Sequence, residues 1–173
     1  MAAKQSAGIL LFRLIEGQVE VLLVHPGGPF WAMKDLGAWS VPKGEYEDGE
    51  AALACAMREL EEELGSLPAI PEDDLIDLGE VRQKSGKRVR VWAAESDFDP
   101  STLNSNTFTM QWPPHSGRRR EFPEVDRAEW FTPRKAKRKL IAAQAAFVDR
   151  LLEQLRDGGN GPGLGSEESG GGE

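Results

Sequence analysis

Residues 44–65 constrain the fold of this chain more than any other segment. Their sequence is GEYEDGEAALACAMRELEEELG. Its apolar residues recur at spacings of four, three and four positions: Leu53, Met57, Leu60 and Leu64. This spacing places them on one stripe of an α-helix. The pattern therefore predicts a helix over residues 50–64 that Gly65 ends and that buries one face against the rest of a domain.

The opposite face of this predicted helix carries three glutamates, Glu59, Glu62 and Glu63. Side chains three and four residues apart are neighbours on a helix, so these like charges repel one another. Arg58 alone cannot neutralise three carboxylates, whereas hard divalent cations such as Mg²⁺ or Mn²⁺ prefer carboxylate oxygens. The residues are open to two interpretations: a metal site, or an ordinary solvated acidic surface, which is the commoner meaning of such a run.

The spacing of the glycines, glutamates and arginine within residues 44–65 favours the metal site. In chain order, Gly44 is followed by five residues and Glu50 by seven. The run Arg58-Glu59-Leu60 is followed by one residue, and the pair Glu62-Glu63 by one more before Gly65. This pattern resembles the Nudix box, the signature of the Nudix hydrolases, at every fixed position but the last. Ser66 stands where the family usually has an aliphatic residue. Because that position packs rather than binds metal, the departure bears on local packing and not on the metal site.

The resemblance implies an α/β protein with the Nudix fold, an α/β/α sandwich with a central mixed β-sheet. The hydrophobic pattern agrees with this fold. Apolar or alternating runs predict strands at residues 7–14, 19–24, 75–81, 88–94, 107–112 and 128–131. Residues 16–18 and 84–87 predict hairpin turns. Residues 133–155 predict one long amphipathic helix that closes the domain.

We assign residues 1–156 to a single Nudix domain, since a chain of 173 residues holds one ordinary core but not comfortably two. Residues 157–173 are rich in glycine, serine and acids and have almost nothing to bury. We expect them to form a disordered tail without a catalytic role. Residues 25–38 contain several prolines and glycines and two aromatics, which predicts a loop that could cover a binding cleft.

By the same resemblance, Glu59, Glu62 and Glu63 would be metal ligands and catalytic residues. The backbone carbonyl of Lys43 could add another ligand, and Arg58 would orient a glutamate. The metal, Mg²⁺ or Mn²⁺, would bind the polyphosphate, lower the pKa of a bound water and stabilise the charge that develops on the leaving oxygen. The expected reaction is substitution at phosphorus by water.

A further acid outside the box often acts as a base or a ligand in this family, and two residues are candidates. Glu124 stands six residues before Trp130, which resembles the spacing of the corresponding acid in diadenosine tetraphosphate hydrolases. We therefore favour Glu124 over Glu121 as a catalytic residue. The alternative is that both acids only pair with the arginines at positions 118–120.

The segment that leads into the box gives the best indication of the substrate. Residues 39–47, WSVPKGEYE, resemble the W-x-x-P-K-G-x-x-E pattern of the diadenosine polyphosphate and diphosphoinositol branches of the family. The Lys43 ammonium would then bind a phosphate that the metals do not cover. Tyr46 is the aromatic that we expect to stack on a base. Alternatively, Lys43 only offsets nearby acids and Tyr46 only packs.

Composition limits the partners. Twenty-one Lys and Arg against 29 Asp and Glu give a net charge of −8, which argues against a nucleic-acid partner other than an RNA 5′ end. The N-terminal apolar run is interrupted by Arg13 and is too short to span a membrane. The single Cys55 cannot form an internal disulfide. We expect a cytoplasmic protein with no membrane partner, and the sequence leaves its oligomeric state open.

Our leading hypothesis is divalent-metal-dependent hydrolysis of a pyrophosphate bond in a dinucleoside polyphosphate such as diadenosine tetraphosphate. A nucleoside triphosphate pyrophosphohydrolase is the alternative of the same class, and cleavage of an RNA 5′ end or of a diphosphoinositol also agrees with the box. A hypothesis of a different class is a non-catalytic Nudix module that senses a nucleotide. Such a module would be expected to lose box glutamates, and this chain retains all three.

Overall fold

The computed structural model describes residues 4–159 of the chain. It contains, in order, β1 (Gln5–Ile15), β2 (Gln18–Pro26), β3 (Lys43–Glu45), α1 (Ala52–Leu64), β4 (Ile76–Arg82), β5 (Arg88–Glu95), β6 (Thr107–Gln111), β7 (Arg119–Pro123), β8 (Val125–Phe131), α2 (Pro133–Lys139) and α3 (Ala145–Gly159). Short 3₁₀ turns lie at Glu72–Asp74, Pro100–Thr102 and Ala142–Gln144. Within residues 4–159, no helix is long and apolar enough to cross a membrane.

The main sheet is mixed, as the sequence predicted. Its strands lie in the order β4-β5-β1-β2-β8, and the short β3 also pairs with β1. β1 and β5 are parallel, whereas the other pairs of this sheet are antiparallel. The predicted turn between β1 and β2 is formed by Glu16 and Gly17, whose φ angles are 50° and 79°. Two successive residues with positive φ suit the right-handed twist of a tight hairpin.

Both faces of the sheet are covered, which confirms the α/β/α sandwich. Along β1, Ile9 and Leu11 belong to a buried cluster with Leu60 of α1. The alternate residue Leu10 belongs to a second cluster, on the face covered by α2 and α3, together with Phe147. Because successive side chains of a strand point to opposite faces, a strand covered on both sides is apolar at nearly every position. This explains the unbroken apolar run near the N-terminus.

The single long helix predicted over residues 133–155 is wrong, because the chain forms two helices there. α2 ends at Leu140, whose φ and ψ of −69° and 150° are extended. The amide of Ile141 donates to the Trp39 carbonyl at 2.9 Å, and the amide of Trp39 donates to the Lys139 carbonyl at 3.0 Å. These backbone bonds to another segment replace the helical ones. The break also brings Ile141 to the wall of a cleft.

The strand predicted at residues 107–112 is present as β6, but it lies outside the main sheet. It pairs with β7, which the sequence analysis missed, in a separate two-stranded sheet. β7 has the sequence RREFP and is largely exposed, so it lacks the apolar alternation that marks a half-buried strand. We refer to residues 107–123 as the β6–β7 hairpin.

The last helix is longer than expected. α3 continues to Gly159, so residues 157–159, which we assigned to the disordered tail, belong to a helix. The rest of the predicted tail, residues 160–173, lies outside the described residues.

Candidate active site

Arg58 holds the acids of the box in place. Its Nε and Nη2 donate to the Glu50 carboxylate at 2.8 and 2.9 Å. Its Nη1 donates to Glu59 at 2.8 Å and to Glu62 at 3.2 Å, and Nη2 also reaches the Glu45 carbonyl at 3.1 Å. The hydrogen bonds from Arg58 lower the pKa of Glu50 to about 2. The planar guanidinium therefore joins the loop before α1 to two of the predicted ligands.

Gly44 gives Glu59 the space that it occupies. A Cβ atom at residue 44 would lie 1.9 Å from the carboxyl carbon of Glu59, so only glycine fits without displacing that side chain. Burial raises the pKa of Glu59, the hydrogen bond from Arg58 opposes this, and the charges of Glu62 and Glu124 raise it further. The first glycine of the box thus permits a close approach of a carboxylate to the backbone of β3.

Glu63 and Lys43 lie side by side. The Lys43 amide donates to Oε2 of Glu63 at 3.2 Å. Burial raises the pKa of Glu63 well above its ordinary value, with Lys43 opposing and Glu59 and Glu124 adding to the rise. Burial likewise lowers the pKa of Lys43, with Lys87 acting in the same direction. The main chain of Lys43 is therefore close to a predicted ligand, and the proposed role of its carbonyl stays a prediction.

A cleft with a volume of about 190 Å³ lies beside these residues. Its lining residues are Val24, Pro26, Trp31, Ala38, Ser40, Lys43, Glu63, Glu124, Val125 and Ile141. Glu124 lines this cleft and Glu121 does not. Burial raises the pKa of Glu124, and the charge of Glu62 adds to this. Among the described residues, neither acid has an arginine or lysine nitrogen within 4.0 Å, so the simple pairing alternative receives no support.

The aromatic residue that lines the cleft is Trp31, whereas Tyr46 does not line it. Tyr46 packs against the buried cluster on the α1 face, and burial raises the pKa of its hydroxyl. Stacking of Tyr46 on a base stays a prediction without support from this arrangement. Ser40 and Ile141 also line the cleft, and the sequence analysis missed both. No local pattern marks them, because distant parts of the chain bring them together.

Backbone hydrogen bonds fix Glu124 to the elements around it. Its amide donates to the Asn106 carbonyl at 2.8 Å, and its carbonyl accepts from the Gly27 amide at 2.9 Å. The Asn106 amide in turn donates to the carbonyl of Glu62 at 2.9 Å. Glu124 is therefore tied both to the last turn of α1 and to residues 27–38, which we call the cleft loop.

The acids of the site fit a hard divalent cation by their chemistry. Within residues 4–159, no three His, Cys, Asp or Glu side chains already converge as a preformed chelating group. The Glu59 and Glu62 oxygens are engaged by Arg58, with which a cation would compete. Burial and mutual repulsion disfavour the charged forms of Glu59, Glu63 and Glu124. A divalent cation bound by carboxylate oxygens would relieve this repulsion.

Comparison with known proteins agrees with this architecture. Residues 4–152 match the family model of the NUDIX domain. A search of curated proteins returned no match. A crystal structure of a C. elegans Ap4A hydrolase binary complex has a TM-score of 0.62 and 21% identity over 90% of this chain and 99% of that chain.

Two other solved structures share the fold. The NUDIX domain of Shewanella oneidensis NrtR, in complex with ADP ribose, has a TM-score of 0.60 and 16% identity over 90% of each chain. The M. Smegmatis Nudix hydrolase RenU has a TM-score of 0.54 and 22% identity over 88% of this chain and 86% of that chain.

The fold and the box place the molecule among the enzymes that cleave pyrophosphate bonds in compounds containing a linked nucleoside diphosphate, a class that generally uses divalent metal ions. The chain belongs to the Nudix family and is a pyrophosphohydrolase.

Proposed function

We propose that this enzyme hydrolyses a dinucleoside polyphosphate, such as diadenosine tetraphosphate, in the presence of Mg²⁺ or Mn²⁺. The observation that carries the proposal is that Lys43, Glu63 and Glu124 line one cleft. A cationic group that suits a phosphate thus lies beside acids that suit metal ions. The sequence adds support through the W-x-x-P-K-G pattern at residues 39–44 and through the six-residue spacing from Glu124 to Trp130.

In this proposal, Glu59, Glu62 and Glu63 bind the divalent ions. When bound, such ions neutralise the phosphates and lower the pKa of the attacking water. Arg58 keeps Glu59 and Glu62 in position through its guanidinium.

Glu124 accepts the proton from the attacking water. Burial raises its pKa, which brings it closer to the neutral range in which a general base is most effective. Lys43 binds a phosphate oxygen. Burial of its ammonium removes part of the water that would screen that attraction.

A substrate panel tests the proposal. Purified protein is incubated with Mg²⁺ or Mn²⁺ and diadenosine tetraphosphate, ATP, ADP-ribose, a diphosphoinositol or a 5′-triphosphorylated RNA, and the products are separated by chromatography. Reaction in ¹⁸O-labelled water then identifies the attacked phosphorus. We expect the highest kcat/KM for diadenosine tetraphosphate. A clear preference for ATP would replace the proposal by the triphosphate pyrophosphohydrolase alternative.

Glu63→Gln tests the assignment of the acids, with Glu121→Gln as the matched control. The first change keeps the shape of a side chain at the cleft but removes its charge, and we expect kcat to fall about 100-fold or more. The second changes an exposed acid of the β6–β7 hairpin that does not line the cleft and should leave kcat unaltered. Equal rates for Glu63→Gln and the unmodified enzyme would refute the metal site.

A further inference from the structure

His25 is a fully buried polar residue to which the chemistry above gives no role. It lies near the end of β2, next to the cleft residues Val24 and Pro26. Its Nδ1 lies 2.8 Å from Oδ1 of Asp126 in β8, and its Nε2 lies 2.7 Å from the carbonyl oxygen of Lys34 in the cleft loop. Three separate segments of the chain therefore meet at one imidazole ring.

Both ring nitrogens of His25 face oxygens that accept hydrogen bonds. A carbonyl oxygen carries no proton, and a carboxyl group gives up its proton more readily than an imidazolium does. A neutral ring has only one N–H, so one of its nitrogens would face an oxygen lone pair with no water to separate them. Because the side chain is buried, that mismatch would be costly. Both contacts are satisfied together only when each ring nitrogen of His25 carries an N–H, one donating to the Asp126 carboxylate and the other to the Lys34 carbonyl.

The Asp126 side of this contact holds the segment that carries Glu124, which lies between β7 and β8. Asp126 follows Glu124 by two residues, and the residue between them, Val125, is bound to Ser105. The Val125 amide donates to Oγ of Ser105 at 3.1 Å, and that Oγ lies 3.0 Å from the Val125 carbonyl. The His25 contact therefore adds a side-chain tie to a segment whose backbone is already held.

The Lys34 side of the contact holds the cleft loop. The Lys34 amide donates to the Trp31 carbonyl at 2.9 Å, so fixing the Lys34 carbonyl also fixes the turn that carries Trp31. The loop has a second, independent tie at Asp35. That carboxylate accepts from Nε1 of Trp39 at 2.8 Å and also binds Lys139.

We propose that His25 is a positioning residue of this hydrolase. Through its two ring nitrogens, it binds the segment of Glu124 and the loop of Trp31 to the end of β2, and so sets the distance between two walls of the cleft. It does not contact the substrate itself. The inference rests on the proposed function only in giving Glu124 a catalytic part. The protonation of His25 is independent of the substrate.

Nitrogen NMR of protein labelled with ¹⁵N-histidine tests the protonation directly. The chain has two histidines, and His115, an exposed residue in the β6–β7 hairpin, serves as the reference. Because each ring nitrogen faces an acceptor oxygen, we expect the His25 ring to show two protonated nitrogens. In Asp126→Asn, the neutral amide can donate to Nδ1, so we expect only one. A His25 ring with one protonated nitrogen in the unmodified protein would overturn the proposal, whatever the enzyme hydrolyses.

Steady-state kinetics on the best substrate of the panel test the positioning. His25→Gln should lower kcat and raise KM, each about tenfold, because it releases both walls. Ser105→Ala releases only the Glu124 segment and should lower kcat alone, whereas Asp35→Asn releases only the loop and should raise KM alone. Asp126→Asn, a change at a partly exposed side chain, should repeat the effect on kcat if His25→Gln fails to fold.

Thermal unfolding of each variant separates these effects from loss of the fold. Unchanged kcat and KM in folded His25→Gln would contradict the proposal. A loss of kcat in proportion to the loss of stability in all four variants would also contradict the proposal.

Discussion

The two sides of the cleft are held together by different kinds of contact. On the box side, one guanidinium binds the side chains of Glu50, Glu59 and Glu62. On the side of the cleft loop and the β6–β7 hairpin, backbone hydrogen bonds and one buried histidine hold Glu124 and the loop. The first side depends on residue types and the second mainly on backbone groups, which every residue has.

The two sides also differ in how far apart their partners lie in the sequence. Arg58 and its carboxylate partners are separated by one, four and eight residues. His25 and Asp126 are separated by 101 residues, and Ser40 and Gln144 by 104. Contacts within one helix and the loop before it form with little loop-closure entropy, whereas contacts of the second kind require the complete fold. Substitutions that displace the box acids should affect kcat, whereas substitutions confined to the cleft loop should affect substrate affinity.

Gly44→Ala should have the largest effect among single substitutions that keep every charge. The added Cβ would lie 1.9 Å from the Glu59 carboxyl carbon, so Glu59 must move by about 1 Å or more. Misplacement of this size costs roughly 100-fold in kcat. Gly49→Ala is the control, because its Cβ meets nothing within 4 Å although its φ is +74°. It should lower stability by about 1 kcal/mol but preserve kcat. Equal kcat in both variants would contradict the close-approach explanation.

Arg58→Lys should have the next largest effect. Lysine keeps the charge but cannot bind Glu50, Glu59 and Glu62 at once. We expect kcat to fall about 10- to 100-fold, the usual cost of losing a residue that orients metal ligands. Arg13→Lys, at an ion pair with Glu20 away from the cleft, is the matched control and should retain full activity. If Arg58→Lys also retains full activity, the box acids do not need the guanidinium of Arg58 to orient them.

Phe30→Ala should have a smaller effect, because it removes one of the weaker contacts that hold the cleft loop. Phe30 packs edge-on against Trp112 of the β6–β7 hairpin, with ring centroids 5.4 Å apart. Such a pair contributes about 1 kcal/mol, so we expect KM to rise about fivefold with little change in kcat. Met33→Ala, at a 95% exposed side chain of the same loop, should change neither. A fall in kcat with constant KM would remove the distinction between the two sides.

Asp35→Asn should have the smallest effect on stability, and this effect should disappear in acid. Hydrogen bonds from Lys139 and Trp39 lower its pKa below the ordinary value of 3.8. Its contribution to stability is therefore complete above that value and is lost as the pH falls through the lower pKa of the folded state. Because the side chain is half exposed, we expect less than about 1 kcal/mol. Denaturant unfolding of Asp35→Asn should accordingly show its deficit near neutral pH and converge on the unmodified protein as the pH falls through the lowered pKa of Asp35.

The helical spacing of apolar residues predicted α1, and clusters of turn residues predicted the hairpin turns. The sandwich was implied by the resemblance to the Nudix box. The sequence also favoured Glu124 over Glu121, and the cleft is lined by the residue that it favoured. It missed the break at Leu140, where bonds to Trp39 override a good helical pattern. The sequence favoured Tyr46 as the stacking residue because Tyr46 lies beside Lys43 in the box, whereas the aromatic residue that lines the cleft is Trp31.

The parallel pairing of β1 with β5 has a consequence for how the enzyme is made. Gln5 pairs with Arg88 and Phe12 with Glu95, so the centre of the sheet closes only after more than half of the chain has left the ribosome. The box helix lies within the segment that this pairing closes. Long-range parallel pairing is slow to form. We therefore expect truncated chains that end before residue 88 to contain the complete box sequence and yet lack activity.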